Sequence, residues 1–337
     1  MTFRGHHLRV TVFCLFVGIV GTAMAVGQVS KRAFLLPAEV PAPANNKVTP
    51  ERTELGKMLF FDPRLSGSAR ISCASCHNPT LGWSDALPTA VGDERQVLSR
   101  ATPSIVNAAY NDVLMWDGRF RTLEEQSLGP IRAPSEMHGS MEEIIAKLKR
   151  SPGYTEEFDR AYPGEGVTSE TIAKAIASFE RTVITRDSPF DQWIAGNKSA
   201  IGDSAERGFA LFIGKANCVA CHQPPNFTDQ GFHNIGVRGN QDDGRFAKVP
   251  IRVLKGAFKT PSLRDVTLTA PYMHNGAYQT LPEVIDHYNR GGDEKANLDP
   301  NIKPLGLTVQ EKKDLVTFLE SLTGKASVVV NLPKLPQ

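Results

Sequence analysis

The chain has 337 residues, with 38 lysines and arginines against 36 aspartates and glutamates. A chain of this length can form two domains that each have a hydrophobic core. Because positive and negative charges nearly balance, the composition gives no support to nucleic-acid binding. Beyond the N-terminus, no apolar stretch approaches the length of a membrane-spanning helix.

The N-terminus has the pattern of a secretory signal. Arg4 and Arg9 precede an apolar run over residues 10–20, and Ala23-Met24-Ala25 matches an A-x-A cleavage site. We therefore predict a signal peptide over residues 1–25 that is cleaved after Ala25. An uncleaved membrane anchor is the alternative, but the apolar run is short for a spanning helix.

Each half of the chain begins with the pattern E-x-G-x-x-L-F, at residues 54–60 and again at residues 206–212. Both stretches are predicted to be helical, with capping residues at Thr49-Pro50-Glu51 and Gly202-Asp203-Ser204. A W-S-D or F-T-D triplet follows later in each half, beginning at Trp83 or Phe227. This repeat predicts two related domains that arose by duplication.

The attachment motif Cys-x-x-Cys-His occurs between these elements in both halves. Its six residues are Cys73, Cys76 and His77 in the first copy and Cys218, Cys221 and His222 in the second. The motif is typical of c-type haem, whose vinyl groups form thioethers with the thiols while the histidine ligates the iron. A thioredoxin-like redox pair needs no such histidine, and a four-cysteine zinc site would leave both histidines unexplained. We therefore predict two covalently bound haem c groups and, because the chain is exported, a periplasmic location.

Further helices are predicted at Leu123–Leu128, Met141–Lys149, Thr171–Thr185 and Leu281–Tyr288, and a capping box at Thr308 predicts a last helix to about Leu322. Strand patterns are weak. The predicted fold is therefore mainly α, with two cytochrome-c-like domains that each carry one haem. The predicted divisions are an arm at 26–48, a first haem domain at 49–185, a linker at 186–203, a second haem domain at 204–325 and a tail at 326–337.

Several motifs lie outside the haem attachment sites: Met115-Trp-Asp-Gly-Arg119, Leu123-Glu-Glu-Gln126, Gly129-Pro130, Glu136-Met137, Thr260-Pro-Ser-Leu-Arg264 and Thr269-Ala-Pro-Tyr-Met-His274-Asn-Gly276. With them, residues 50–325 resemble the family of bacterial dihaem cytochrome c peroxidases and MauG proteins. The resemblance implies an enzyme of the cytochrome-c peroxidase type.

Two positions favour the MauG-like branch of this family. The histidine that caps the first iron in ordinary peroxidases aligns with Gly92-Asp93, and no histidine lies between His77 and His138. The first haem is therefore expected to lack a sixth protein ligand. The methionine that binds the second iron aligns with Tyr288, as in MauG. Alternative ligands for that iron are Met273 and His287.

The resemblance also implies roles for residues around the first haem. Glu136 is the expected acid–base group for O–O cleavage, Gln126 and Pro130 shape the pocket, and Trp116 relays electrons between the haems. A Glu136 buried enough to act in this way should have a raised pKa. Composition alone favours a solvated loop carboxylate for Glu136, and the alternative for Trp116 is an ordinary buried tryptophan. The matched spacing favours the functional roles.

An anionic phenolate from Tyr288 would stabilise oxidised iron, so the second haem is expected to hold an oxidising equivalent as Fe(IV). The family also has a calcium ion between the haems, and the resemblance places it at the carbonyl groups of Thr269 and Pro271. Ala101 stands at the position of the family's asparagine ligand. Asn107 could replace that ligand only if the loop differs.

The sequence favours a peroxidase that reduces hydrogen peroxide to water at the first haem, with electrons from a small cytochrome c or cupredoxin. The second hypothesis is MauG-like oxidation of side chains in a partner protein. It ranks lower because Ala216 stands where MauG carries a tryptophan that conducts oxidising equivalents to its protein substrate. A dihaem electron carrier, the third hypothesis, would normally have two six-coordinate irons. A monomer or a homodimer is expected.

Overall fold

The computed structural model describes residues 30–324 and 331–337, so the predicted signal peptide and its cleavage site at Ala25 lie outside the described residues. Within those ranges the chain forms ten α-helices: α1 (Pro50–Phe61), α2 (Cys73–Cys76), α3 (Leu123–Arg132), α4 (Met141–Lys149), α5 (Pro152–Ala161), α6 (Ser169–Glu180), α7 (Pro189–Ala195), α8 (Asp203–Ile213), α9 (Leu281–Asn289) and α10 (Val309–Glu320). Two short strands, β1 (Phe232–His233) and β2 (Phe258–Lys259), pair antiparallel. The prediction of a mainly α fold is confirmed.

Polar caps explain where most of these helices begin. The Thr49 side chain accepts a hydrogen bond from the backbone of α1, and Thr308 forms the predicted capping box at the start of α10. The helix predicted over residues 171–185 was placed too far along the chain, because Thr168 caps α6 and Arg181 already ends it. Thr185 lies in a loop, where its backbone pairs with the Asn107 amide.

The same helix crossing occurs in both halves of the molecule. In the first half α1 packs on α6, and in the second half α8 packs on α10. Gly56 of α1 lies against the Ala175 carbonyl, and Gly208 of α8 lies against the Asp314 carbonyl, so closely that a Cβ atom would overlap either oxygen. The glycine of each E-x-G-x-x-L-F pattern therefore allows the close crossing of two helices.

Replacing Gly208 by alanine should lower the free energy of unfolding by about 1–3 kcal/mol, because the added methyl group forces two packed helices apart. Thermal unfolding of the haem-loaded protein measures the change. Gly202→Ser is the matched control: Gly202 caps the same helix, a Cβ atom added there would meet no neighbouring atom within 4 Å, and serine is a favoured cap. Equal stability of Gly208→Ala and wild type would contradict this role.

Each helix crossing belongs to its own hydrophobic core. The first core joins α1, α3, α5 and α6 with Trp83, and the second joins α7, α8, α9 and α10 with Phe227. Phe34 from the predicted arm is fully buried in the second core, and the Asn46 amide of the same arm donates to Glu124 and to the Lys174 carbonyl beside the first core. The arm is therefore packed along both halves.

The stretch 186–203, predicted as a linker, also contributes to the second core. It contains α7, whose Phe190 is fully buried and whose Asp191 binds Arg264 at 2.8 Å. Of the predicted tail, residues 331–337 return to the first half, where the Gln337 carbonyl accepts a hydrogen bond from Ser151. No helix among the described residues has the length and apolar character needed to cross a membrane.

Candidate functional site

Both attachment motifs line one cavity of about 840 Å³. All six of their residues contribute to its wall: Cys73, Cys76, His77, Cys218, Cys221 and His222. None of the four cysteines forms a disulfide bond. Since thioether formation needs unpaired thiols beside a cavity, this arrangement fits two covalently attached haem groups.

A backbone carbonyl orients each motif histidine. His77 Nδ1 donates to the Trp83 carbonyl at 3.2 Å, and His222 Nδ1 donates to the Phe227 carbonyl at 2.9 Å. Trp83 and Phe227 both have a positive φ, of 59° and 54°, so the two halves share the same unusual backbone conformation at these carbonyls. Burial lowers the pKa of both histidines, so each stays neutral with Nε2 available to an iron ion.

The ligand predicted for the second iron lies on the cavity face of α9. Leu281, Val284 and Tyr288 line the cavity at a spacing typical of one helix face. His287 lies outside the lining: it is fully buried, and its Nδ1 is 2.8 Å from the Tyr278 hydroxyl. The geometry therefore favours Tyr288 over His287. Met273 also lines the cavity.

The repeat continues into this region through a second, weaker pattern that was not among the sequence-based predictions. Residues 115–123 and 273–281 share M-x-x-G-x-[F/Y]-x-T-L, and each forms the same local bridge, Leu114 with Phe120 and Tyr272 with Tyr278. When the two copies of this pattern are aligned, Tyr288 corresponds to Pro130, which also lines the cavity. Proline has no side-chain ligand atom, so the equivalent position is open in the first half and occupied by a phenol in the second.

Glu136 lines the cavity near the first motif. Burial raises its pKa, Arg119 opposes the rise, and Asp117 adds to it. Arg119 lies 3.7 Å from the Glu136 carboxylate and binds Asp117 at 2.9 Å. Asp117 in turn binds Arg100 at 2.8 Å. The carboxylate is therefore the end of a chain of alternating charges.

Two loops fix the backbone of Glu136. Its amide donates to the Ala133 carbonyl at the end of α3, and its carbonyl accepts from the Asp93 amide at 2.6 Å. Gly92 lies so close that a Cβ atom would overlap the Ser135 carbonyl. The loop that aligns with the capping histidine of ordinary peroxidases therefore holds Glu136 in place, and Asp93 points its carboxylate towards Ser68.

Gln126 and Pro130 lie on the same face of α3 and line the cavity with Glu136. The Gln126 amide donates to the Met115 sulfur at 3.6 Å. His138, which follows Glu136 closely in sequence, is exposed and lies outside the lining. The structure therefore brings Glu136, Gln126 and Pro130 together beside the first motif.

Comparison with known proteins identifies the family. Residues 50–199 match the model of the di-haem cytochrome c peroxidases, and residues 205–323 match that of cytochrome c. The methylamine utilization protein MauG of Methylorubrum extorquens is 46% identical, covering 91% of this chain and 87% of the relative. MauG of Methylophilus methylotrophus is 41% identical over the full length of both chains. The cytochrome-c peroxidase IdrP1 of Denitromonas iodatirespirans is 36% identical, covering 98% and 97%.

The chain belongs to the dihaem cytochrome c peroxidase and MauG family. A crystal structure of a MauG-like protein associated with microbial copper homeostasis has the same fold, with a TM-score of 0.80, 33% identity and coverage of 86% of this chain and 95% of that one. Two cytochrome-c-like domains and two covalently bound c-type haems, as predicted, follow from this membership.

In this family member the two halves exchange backbone hydrogen bonds at the residues predicted to connect the haems. The Ala101 amide donates to the His274 carbonyl at 2.7 Å. Lys259 holds the position of Ala101 in the second copy of the repeat, and its amide donates to the Trp116 carbonyl at 2.8 Å. The rings of Trp116 and His274 meet edge to face, with centroids 6.3 Å apart. His274 also stacks on Phe258 at 3.7 Å. Trp116 thus has a fixed position at the junction of the halves.

The predicted calcium ligands are only partly assembled. Thr269 and Pro271 line the cavity, but Ala101 offers no side-chain oxygen. The Asn107 side-chain amide donates a hydrogen bond to the Thr185 carbonyl and accepts one from the Thr185 backbone amide. Asn107 therefore does not replace the missing ligand, and calcium binding stays a prediction.

A second group of metal-ligand atoms has a different explanation. Cys221, Asp229 and His233 place ligand atoms within 4.8 Å of one another. The Cys221 sulfur forms a thioether bond when haem is attached. The two ring nitrogens of His233 bind Asp229 at 2.8 Å and Asp299 at 2.7 Å. These contacts leave His233 with a structural role beside the second attachment motif.

Proposed function

We propose that this protein is a periplasmic MauG-like enzyme that uses hydrogen peroxide to oxidise amino-acid side chains in a partner protein. The observation that carries the proposal is the similarity to two MauG proteins, at 46% and 41% identity over 91% and 100% of the chain. The similarity to a cytochrome-c peroxidase is lower, at 36%. The order of the two hypotheses is therefore the reverse of the one that the sequence alone favoured.

When bound, the haems supply redox-active iron that reacts with peroxide at the first site and stores oxidising equivalents across both sites. Glu136 is placed to accept a proton from one peroxide oxygen and to deliver it to the departing oxygen. Arg119, 3.7 Å away, orients the carboxylate and limits the rise of its pKa. Pro130 lines the cavity and has no side-chain ligand atom, so it would not compete with peroxide for the iron.

Tyr288 and Trp116 serve the storage of oxidising equivalents in this proposal. Burial raises the pKa of the Tyr288 phenol, so coordination to iron is what would remove its proton. The resulting phenolate oxygen stabilises the oxidised metal, as tyrosinate ligands do in other haem proteins. Trp116, held by the Lys259 amide and by its own Nε1 hydrogen bond to the Ala101 carbonyl at 2.8 Å, lines the cavity between the two halves.

The second candidate is reduction of hydrogen peroxide to water with electrons from a small cytochrome c or cupredoxin. The relative IdrP1, named a cytochrome-c peroxidase, favours it, since it covers 98% of the chain. Ala216 favours it as well. This residue lines the cavity two positions before Cys218, at the position where the resemblance implies a tryptophan that conducts oxidising equivalents in MauG. A MauG-like activity here therefore needs a different exit path.

Both MauG relatives are named methylamine utilization proteins. Loss of the gene should therefore abolish growth of the source organism on methylamine and leave growth on other carbon sources unchanged. The wild-type gene should restore growth on methylamine, and a gene with Glu136→Gln should not. Alongside, the purified protein should oxidise a reduced small cytochrome c only slowly when peroxide is added. Normal growth of the deletion strain, together with rapid peroxide-dependent oxidation of the cytochrome, would establish the second candidate instead.

A further inference from the structure

A buried carboxyl group lies in the cavity wall without an assigned role. Glu180 is the last residue of α6, only 4% of its surface is exposed, and it lines the cavity together with Ile176 of the same helix. Its Oε2 atom is buried and has no hydrogen-bond partner among the described residues. Because burial of an unpaired carboxylate costs several kcal/mol, such a group favours its protonated form.

The charged groups around Glu180 do not neutralise it. Arg181 is adjacent, but its guanidinium binds both Glu124 oxygens, at 2.8 and 3.1 Å, and the Pro41 carbonyl at 3.1 Å. Cys73 of α2 is the nearby group on the cavity side, and haem attachment makes its sulfur neutral. Burial raises the pKa of Glu180 to about 8, Arg181 opposes the rise, and Glu124 adds to it.

The second half of the molecule has no carboxyl group at this position. Gly56 packs on Ala175 of α6, and Gly208 packs on Asp314 of α10, which aligns the two helices. Five residues further along, Glu180 of α6 corresponds to Leu319 of α10, which also lines the cavity. The haem-binding fold therefore does not require a carboxyl group here, and Glu180 is particular to the first haem.

We propose that Glu180 is the proton-coupling group of the first haem, protonated when the iron is reduced and ionised when the iron is oxidised. On reduction, one electron from an external donor converts Fe(III) to Fe(II), and one proton from solvent binds the Glu180 carboxylate. On oxidation both leave, and no other bond changes. The coupling arises because the extra positive charge of Fe(III) stabilises a nearby carboxylate. The net charge of the buried site then stays constant.

Spectroelectrochemical titration of the haem-loaded protein at a series of pH values tests this proposal. Near pH 8, the reduction equilibrium constant of the first haem should fall up to tenfold for each pH unit, which corresponds to about 59 mV for a one-electron step. Glu180→Gln, nearly isosteric, should flatten this dependence, and Glu180→Leu, which copies Leu319, should do the same. Glu125→Gln is the matched control, because it removes an exposed carboxyl group outside the cavity lining and should preserve the slope.

A pH-independent potential in the wild type, or a slope that persists in Glu180→Gln, would overturn the proposal. Redox-difference infrared spectroscopy of the wild-type protein gives a second readout that needs no variant. Reduction should produce the C=O band of a protonated carboxyl group, and its absence would count equally against the assignment. Neither measurement uses peroxide or a partner protein, so the result is independent of the enzyme's proposed activity.

Discussion

Glu136→Gln should slow the reaction with hydrogen peroxide by roughly 10²–10⁴-fold, the usual effect of losing a general acid–base group. The glutamine keeps the shape of the side chain and its contact with Arg119, but it cannot accept a proton from peroxide. Both haems should stay attached, because the backbone of Glu136 is held by Ala133 and Asp93, outside both attachment motifs. Stopped-flow absorption with excess peroxide measures the rate.

Glu125→Gln is the matched control for this experiment. Glu125 lies on α3, as Gln126 and Pro130 do, but it is exposed and lies outside the cavity lining. Its replacement should leave the peroxide rate within about twofold of wild type, as expected for a surface change away from the reacting groups. An unchanged rate in Glu136→Gln would assign the proton transfer to another group.

The pH dependence of the peroxide rate in Arg119 variants tests the same mechanism. As a base, Glu136 acts only when ionised, so the rate should fall as the pH drops through its pKa. Burial raises that pKa and Arg119 lowers it, and therefore Arg119→Leu should shift the fall in rate to higher pH. Arg119→Lys should partly restore the original profile. A profile that does not move would show that Arg119 neither positions nor tunes the carboxylate.

Much of the fold could be predicted because its signals are local. Helix α4 begins and ends as predicted, and α10 begins at the predicted capping box of Thr308. Helices α2, α5 and α7 were missed, and the burial of α7 depends on distant segments. Phe190 of α7, for example, is buried against Phe34 of the arm, 156 positions earlier in the chain. The apparent linker and arm are parts of the second core for the same reason.

Some features of the site follow from a few consecutive residues, and others depend on contacts between segments that are far apart in sequence. Covalent attachment could be predicted from five consecutive residues, because the chemistry needs two thiols and a histidine at fixed spacing. The contact of Arg119 with Glu136, and the support that Asp93 gives to the Glu136 backbone, depend on loops far apart in sequence. The alignment of Pro130 with Tyr288 was available from the sequence, but only through a weak second repeat that becomes evident once both helices are seen on the cavity wall.

Tyr288→Phe should remove the oxygen ligand of the second iron while leaving the first site intact. Peroxide should still react at the first haem, but the protein should no longer hold two oxidising equivalents for long, because phenylalanine supplies no anionic donor. The reduction potential of the second haem should rise by on the order of a few tenths of a volt, within the roughly 0.8 V range that axial ligands cover. Potentiometry and electron paramagnetic resonance of the resting ferric protein measure both changes.

Tyr272→Phe provides the matched control, because Tyr272 lines the same cavity and carries a half-buried phenol whose pKa is raised by burial. Its replacement should leave the spectrum and the potential of the second haem unchanged. If Tyr288→Phe retained the wild-type spectrum, Met273 would be the ligand, as it is the remaining candidate on the cavity wall. His287 would not take that place, because it faces Tyr278 and Asp293, away from the cavity. The pair of variants therefore decides whether oxygen or sulfur completes the second iron site.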